Sequence, residues 1–241
     1  MSRERADVLL VARGLAESRA RARSLILDGK VEGVSKPGQM MAADAELHLA
    51  EPDHPWVGRG GLKLVHAMDH FGLPAEGRIG LDCGASTGGF TDVLLARGAT
   101  KVWAVDVGHG QLHSRLMDDE RVISLENTNC RDLDRDLIAD PVDAIVADLS
   151  FISLKVALPA ALALAAPGCW LAALAKPQFE VGRDHVGKGG VVRDDAVRDA
   201  VPGDLSAWLE GVMGWRVAGV TDSPIRGSDG NREFLIAAWK D

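Results

Sequence analysis

The sequence predicts an α/β protein: a mostly parallel, seven-stranded sheet covered by helices on both faces, preceded by a small α+β unit. Three observations carry this expectation. From Leu62 onward, apolar runs of strand length alternate with stretches of helical period, the pattern of successive β-α units. One run, Cys169-Trp-Leu-Ala-Ala-Leu-Ala175, is apolar throughout, as suits a central strand buried on both faces. Charge then divides the chain: the 241 residues sum to −8, yet residues 1–36 alone carry +3 and the remainder −11. A basic head on an acidic body implies two units with different partners. With 46% hydrophobic and 26% charged residues, the chain is a folded protein of one large and one small domain.

In the head, Arg5–Arg13 reads as a short helix ended by Gly14. Ser18 caps a second helix to Asp28, stopped by Gly29, with Ala22, Leu25 and Ile26 facing inward and Arg19 and Arg23 on another face. Lys36-Pro37-Gly38 makes a turn, and the alternation over 45–50 predicts a strand. The segment 51–55 is the expected linker, so the domains are taken as 1–52 and 53–241. In the body, Leu62, Val65, Met68 and Phe71 mark one helical face. A strand at 78–83 runs through a glycine turn into the helix 90–97, closed by Gly98. Strands follow at 101–107, ahead of Asp132, and at 142–149. A buried helix from Val156 then meets the turn Pro167-Gly168 and the strand 169–175. A helix at 194–213 and strands at 215–221 and 233–239 complete the pattern.

Cys83, Cys130 and Cys169 share no metal-type spacing, so no metal site is expected, and they read as buried thiols in a reducing cytosol. The N-terminal residues are charged and lack an apolar core, which predicts no signal peptide and a cytoplasmic protein. The uncharged run Val156–Ala175 has spanning length, but Pro159 and Pro167-Gly168 break it, so no membrane partner is expected.

The first chemical signal is the strand-to-helix turn Asp82-Cys-Gly-Ala-Ser-Thr-Gly-Gly-Phe90. Gly84, Gly88 and Gly89 let a ligand approach the backbone, and the helix start offers free N–H groups. Its spacing is not that of a dinucleotide fingerprint, and a tight loop without a ligand remains the alternative. Asp106, at the end of the second strand, stands where a carboxylate accepts ribose hydroxyls. Asp132, where the third strand should end, is placed for an adenine amino group. Three acids at the carboxyl ends of strands favour an adenosine-containing ligand.

These motifs, with Asp148-Leu-Ser-Phe-Ile-Ser-Leu154, Lys176-Pro-Gln-Phe-Glu-Val-Gly-Arg183, Gly187-Lys-Gly-Gly-Val-Val-Arg-Asp194 and Ser223-Pro-Ile225…Gly230-Asn231…Glu233-Phe-Leu235, resemble the TlyA (hemolysin A) family over nearly the whole chain. The head fits an S4 RNA-binding domain through Arg5-x-Asp7-x-x-Leu10, Gly14-Leu-Ala-Glu-Ser-Arg19 and Ala22-x-x-Leu25-Ile26. Two departures stand out. The S4 hairpin is shortened to Lys30-Val-Glu-Gly-Val-Ser-Lys-Pro-Gly38, and Gly58 replaces the usual Ser. The resemblance implies a Rossmann-like, FtsJ-type methyltransferase using S-adenosyl-L-methionine held by Gly84, Ser86, Gly88, Gly89, Phe90, Asp106 and Asp132. It further implies 2′-O-methylation of cytidine in 16S and 23S ribosomal RNA, with ribosomal RNA or subunits as partners and no obligate protein partner. An older association with haemolysis leaves two rivals, a membrane-active haemolysin and a noncatalytic ribosome-assembly factor.

Related ribose methyltransferases use a Lys-Asp-Lys-Glu tetrad, which here implies Lys63, Asp148, Lys176 and Glu233. Topology explains how residues so far apart meet. Asp148 and Lys176 end predicted parallel strands, Glu233 begins an antiparallel one at the same edge, and Lys63 opens the preceding helix. A ribose hydroxyl is a poor nucleophile and needs a base within hydrogen-bond reach. A free lysine is protonated at neutral pH, and a second ammonium with partial burial lowers its pKa, so that more of it is neutral and able to take a proton. Lys176 is assigned as the base, Asp148 as its orienting partner, and Lys63 with Glu233 as substrate positioners. RNA contacts are expected from Arg3, Arg5, Arg19 and Arg23 in the head and from Arg59, Arg183, Lys188 and Arg193 in the body. Phe179 is placed either to stack on a flipped base or to pack in the core.

Overall fold

The computed structural model describes residues 3–241 apart from residues 17, 28, 50–53, 188, 228 and 229. The chain divides into two compact units, Met1–Pro55 and Trp56–Asp241. Lys188 and residues 51–53 of the expected linker lie outside the described residues.

In the first unit, β1 (Arg3–Arg5) leads into α1 (Ala6–Ala12), α2 (Arg19–Leu27) follows, and β2 (Met40–Ala42) returns antiparallel to β1. Leu9, Leu10, Ala22, Leu25, Ile26 and Val31 form its core, as the helical period of 22–26 requires. Asp7, fully buried in α1, accepts hydrogen bonds from Arg5 at 2.8 Å and Arg19 at 3.0 Å. The Arg5 bond, reinforced by Arg19 against the opposing effect of burial, pulls the Asp7 carboxyl down to about 2. The expected strand at 45–50 is a correction: Leu47 is buried, but pairing is confined to one bridge between Leu49 and Val31. β1 and β2 went unread because three residues are too few to display an alternation.

The second unit is built on a seven-stranded sheet of order β5-β4-β3-β6-β7-β9-β8. Its strands are β3 (Ile79–Cys83), β4 (Lys101–Val105), β5 (Val122–Leu125), β6 (Val142–Ala147), β7 (Ala165–Ala175), β8 (Arg216–Asp222) and β9 (Phe234–Trp239). The first five in that order run parallel, and β9 lies antiparallel between β7 and β8. The helices are α3 (Gly60–Phe71), α4 (Gly89–Ala96), α5 (Ser114–Met117), α6 (Leu154–Ala157), α7 (Pro159–Ala163), α8 (Pro177–Glu180) and α9 (Asp195–Gly211). Alternate residues of β6 and β7 serve opposite core layers. Ile145, Ala147, Leu171 and Ala173 enter one, and Ala144, Val146, Trp170 and Ala172 the other. Burial on both faces is why 169–175 reads as an unbroken apolar run.

Three local expectations are corrected. Pro167-Gly168 is a bulge inside β7 rather than a turn before it. Gly168 has φ +77° and donates to Lys240 O at 2.8 Å, while Arg78 reaches the carbonyls of Asp143 and Gly168. On α3, Met68 of the expected face is buried and Val65 and Phe71 pack against the same core, but Leu62 stays half-buried, and Lys63, Leu64 and Ala67 take the buried positions beside it. Asp132 does not end a strand: β5 stops at Leu125, and Asp132 closes the 3-10 turn Cys130–Asp132 with its side chain exposed. No helix among the described residues is long and apolar enough to cross a membrane; the run Val156–Ala175 is divided between short helices and β7.

Candidate active site

The order of the sheet reverses beside β3. The chain leaves β3 for β4 on one side and returns to β6 on the other, and at such a reversal the carboxyl ends of the strands leave room for a ligand. Both sets of sequence candidates come from this edge.

Asp148 directly follows β6, Lys176 directly follows β7, and Glu233 directly precedes β9. Because Ala175 pairs with Phe234, Lys176 and Glu233 are the next residues on two hydrogen-bonded strands. Lys63, in the first turn of α3, completes the group. Its Nζ donates to Glu233 Oε2 at 2.8 Å and stands 3.7 Å from Asp148 Oδ2. Lys176 Nζ lies 2.5 Å from Asp148 Oδ1 and donates to Ser150 Oγ at 2.9 Å. Lys63, Lys176 and Glu233 are each no more than 9% exposed. Two ammoniums and two carboxylates therefore compensate one another inside the fold, the condition under which buried charge is tolerable. Burial pushes the Asp148 carboxyl upward, but the Lys63 and Lys176 ammoniums outweigh it and hold the group below the usual carboxylate range.

The glycine turn begins at Asp82, the last charged residue of β3, which is fully buried. Its Oδ2 accepts from Thr91 N at 3.0 Å and Thr91 Oγ1 at 2.7 Å, while Oδ1 has no partner. Burial drives this carboxyl up to about 7 despite the Thr91 bonds, with Asp148 and Asp106 adding to the rise. Gly84 has φ +85°, and a Cβ there would lie 2.9 Å from the carbonyl of Asp148. Glycine is thus what lets the turn abut the tetrad. Asp106 accepts from Ser86 N at 2.8 Å and Gly108 N at 2.7 Å, so it shapes the turn. Ser86 holds φ +48°. Gly88, also in the left-handed region, caps α4, which opens with Gly89. Phe90 is 3% exposed and packs near Gly60, a core role that keeps α3 against the turn.

These residues fit S-adenosyl-L-methionine. The unpartnered Oδ1 of Asp82 is an acceptor for an ammonium, Asp106 retains acceptor capacity for ribose, and the turn admits a ligand against its backbone.

Several of the candidate RNA residues are already engaged within the first unit. Arg5 and Arg19 are committed to Asp7, and Arg3 donates to Met40 O at 2.8 Å. Arg23 is exposed on α2, Arg59 precedes α3, Arg183 begins a short 3-10 turn, and Arg193 is exposed beside the Gly-rich loop. Two residues escape sequence reasoning. Ser150 looks like an ordinary loop serine until its contact with Lys176 is seen. Phe151 is 90% exposed at φ +67°, a costly backbone state for a bulky side chain, and its ring meets Phe179 at 5.2 Å. The motif around Asp148 contained both, but nothing in it announced an exposed phenylalanine packed against Phe179.

The FtsJ-like methyltransferase family matches residues 56–240. The chain is 45% identical to the 16S/23S rRNA (cytidine-2′-O)-methyltransferase TlyA of Mycobacterium tuberculosis, covering 97% of this chain and 89% of that protein. It is 40% identical to Hemolysin A of Brachyspira hyodysenteriae over 96% and 98% of the two chains. Among solved structures, a provisionally named hemolysin from Streptococcus thermophilus superimposes with a TM-score of 0.78 at 41% identity, covering 100% of this chain and 89% of that one.

Proposed function

The chain belongs to the TlyA branch of the FtsJ-like methyltransferase family, and from that premise we infer that it methylates the ribose 2′-hydroxyl of cytidine in ribosomal RNA. The observation that supports this most is the Lys63–Asp148–Lys176–Glu233 cluster, set against the glycine turn at the carboxyl edge of the sheet. S-adenosyl-L-methionine, when bound, supplies an electrophilic methyl on a sulfonium centre. Asp82, Ser86, Asp106 and the backbone of the glycine turn would hold it, with exposed Asp132 at the adenine end.

The protein's own chemistry is the handling of one proton and one oxygen. Lys176 takes the hydroxyl proton at Nζ as the ribose oxygen becomes nucleophilic. Asp148 stabilises the ammonium that results. Lys63, drawn between Glu233 and Asp148, positions the sugar by donating to ribose oxygens. Exposed Phe151, backed by half-buried Phe179, offers an aromatic platform for a base lifted out of its stack. The first unit reads as an S4-like RNA-binding domain over about residues 1–52, with ribosomal subunits as substrate and the cytoplasm as place of work. The membrane-lytic rival lacks a physical vehicle in the one apolar run proposed for it, because that run forms two short helices and a central strand.

Labelled methyl transfer to 16S and 23S RNA in isolated subunits, followed by digestion to nucleosides, tests the inference. The expected product is 2′-O-methylcytidine. Label on a base, or none on RNA despite cofactor binding, would overturn it, and the second result would favour the noncatalytic assembly factor.

A further inference from the structure

We propose that Ser150 is a positioning residue that aims the lone pair of Lys176 at the ribose hydroxyl; the proposal rests on Lys176 being the base. A neutral lysine amine has two N–H bonds and one lone pair, and free rotation about Cε–Nζ would sweep the lone pair through every direction. Two contacts remove that freedom. Nζ donates to Ser150 Oγ at 2.9 Å, which fixes one N–H. Asp148 Oδ1 stands 2.5 Å away but accepts no well-directed hydrogen bond. Its negative charge still repels a lone pair and draws the second N–H to its side. The remaining tetrahedral direction belongs to the lone pair.

The division of labour is therefore specific: Asp148 supplies charge, and Ser150 supplies direction. The local backbone supports it. Ser150 is exposed, and it is followed by Phe151 at φ +67°, so the turn after β6 is kept in a strained form that carries the hydroxyl back to the end of β7. Lys63, by contrast, stands against two carboxylates, Glu233 and Asp148. In the step itself the 2′-O–H bond breaks, its proton passes to Lys176 Nζ, and the oxygen's electron pair forms the new bond to the methyl carbon as the carbon–sulfur bond opens.

Single-turnover methyl transfer by Ser150→Ala, Ser150→Thr, Lys176→Ala and the Ser150→Ala/Lys176→Ala double variant tests the proposal, with RNA and cofactor affinities measured separately. Ser150→Ala is expected to slow the chemical step roughly tenfold, the worth of one hydrogen bond to a reacting amine, with both affinities within about twofold. Ser150→Thr, which keeps the hydroxyl, restores most of the rate. Adding Ser150→Ala to Lys176→Ala costs nothing more, because the serine acts only through the lysine. A wild-type chemical rate in Ser150→Ala, a defect confined to RNA or cofactor binding, or additive losses in the double variant would overturn it. Wild-type transfer by Lys176→Ala would instead overturn the base assignment on which it rests.

Discussion

Two carboxylates at the ends of neighbouring strands behave in opposite ways. Asp148, closing β6, sits between Lys63 and Lys176 and is held below its ordinary range. Asp82, closing β3, has only Thr91 for company, keeps one oxygen without a partner, and rises to about 7. The two ends of β3 and β6 are adjacent in the sheet, but Asp82 is fully buried while the Asp148 side chain keeps 22% of its surface exposed. Burial separates the two in part, and counter-ions do the rest. The tetrad carries its own compensation and is assembled before any substrate arrives, whereas the cofactor end is left short of one cation. A sulfonium-bearing amino acid with a free ammonium would make good that deficit. The acidity of the second unit is thus partly a matter of what its acids hold.

Removing the compensation should have the largest effect. Asp148→Ala leaves two ammoniums facing one carboxylate, and the loss of stability should be about 3 kcal/mol or more, read by urea unfolding, with methyl transfer lost in parallel. A stability change under 1 kcal/mol would mean solvent already screens the tetrad. Glu233→Gln is gentler, because the amide still accepts from Lys63. Methyl transfer should fall by roughly one to two powers of ten while folding is nearly kept, as for loss of a charge-assisted hydrogen bond.

The cofactor end makes a prediction in pH. The folded Asp82 carboxyl titrates at about 7, above its ordinary 3.8. A raised carboxyl holds a proton in the folded state that the unfolded state has lost. Its contribution to stability is therefore full below about pH 4 and is lost as pH rises towards 7. Cofactor affinity should move the other way, strengthening by about tenfold from pH 6 to pH 8 as Asp82 ionises. Asp82→Asn should flatten both profiles. A pH-independent affinity in the unaltered protein would break the comparison.

The smallest effect belongs to the head. Arg5 and Arg19 are tied to Asp7, so Arg23→Ala should weaken RNA binding only a few-fold and lower the salt slope by roughly one unit. Arg19→Ala should additionally destabilise the first unit. Equal effects of the two on folding would deny the structural role of the Asp7 contacts.

The tetrad was legible through the family resemblance, and topology explains why its members meet: Asp148 and Lys176 each follow a strand by one residue, and Glu233 precedes one. Asp132 was misplaced since β5 is a four-residue edge strand with weak apolar character, so its end could not be located. Pro167-Gly168 looked like a turn because a bulge uses the same residues for the same backbone freedom. Ser150 and Phe151 were invisible for a different reason: a side-chain hydrogen bond and a left-handed φ are properties of the folded turn, with no periodic trace in sequence. The partnerless oxygen of Asp82 is of the same kind.

The central claim is that Lys176 is the base of a ribose methyltransferase whose cofactor site is separate from it. Single-turnover methyl transfer by Lys176→Ala, paired with calorimetric titration of S-adenosyl-L-methionine, tests that claim most directly. The chemical step should fall by about three powers of ten while cofactor affinity stays within about twofold. Retained transfer, or loss of cofactor binding in parallel with transfer, would contradict it.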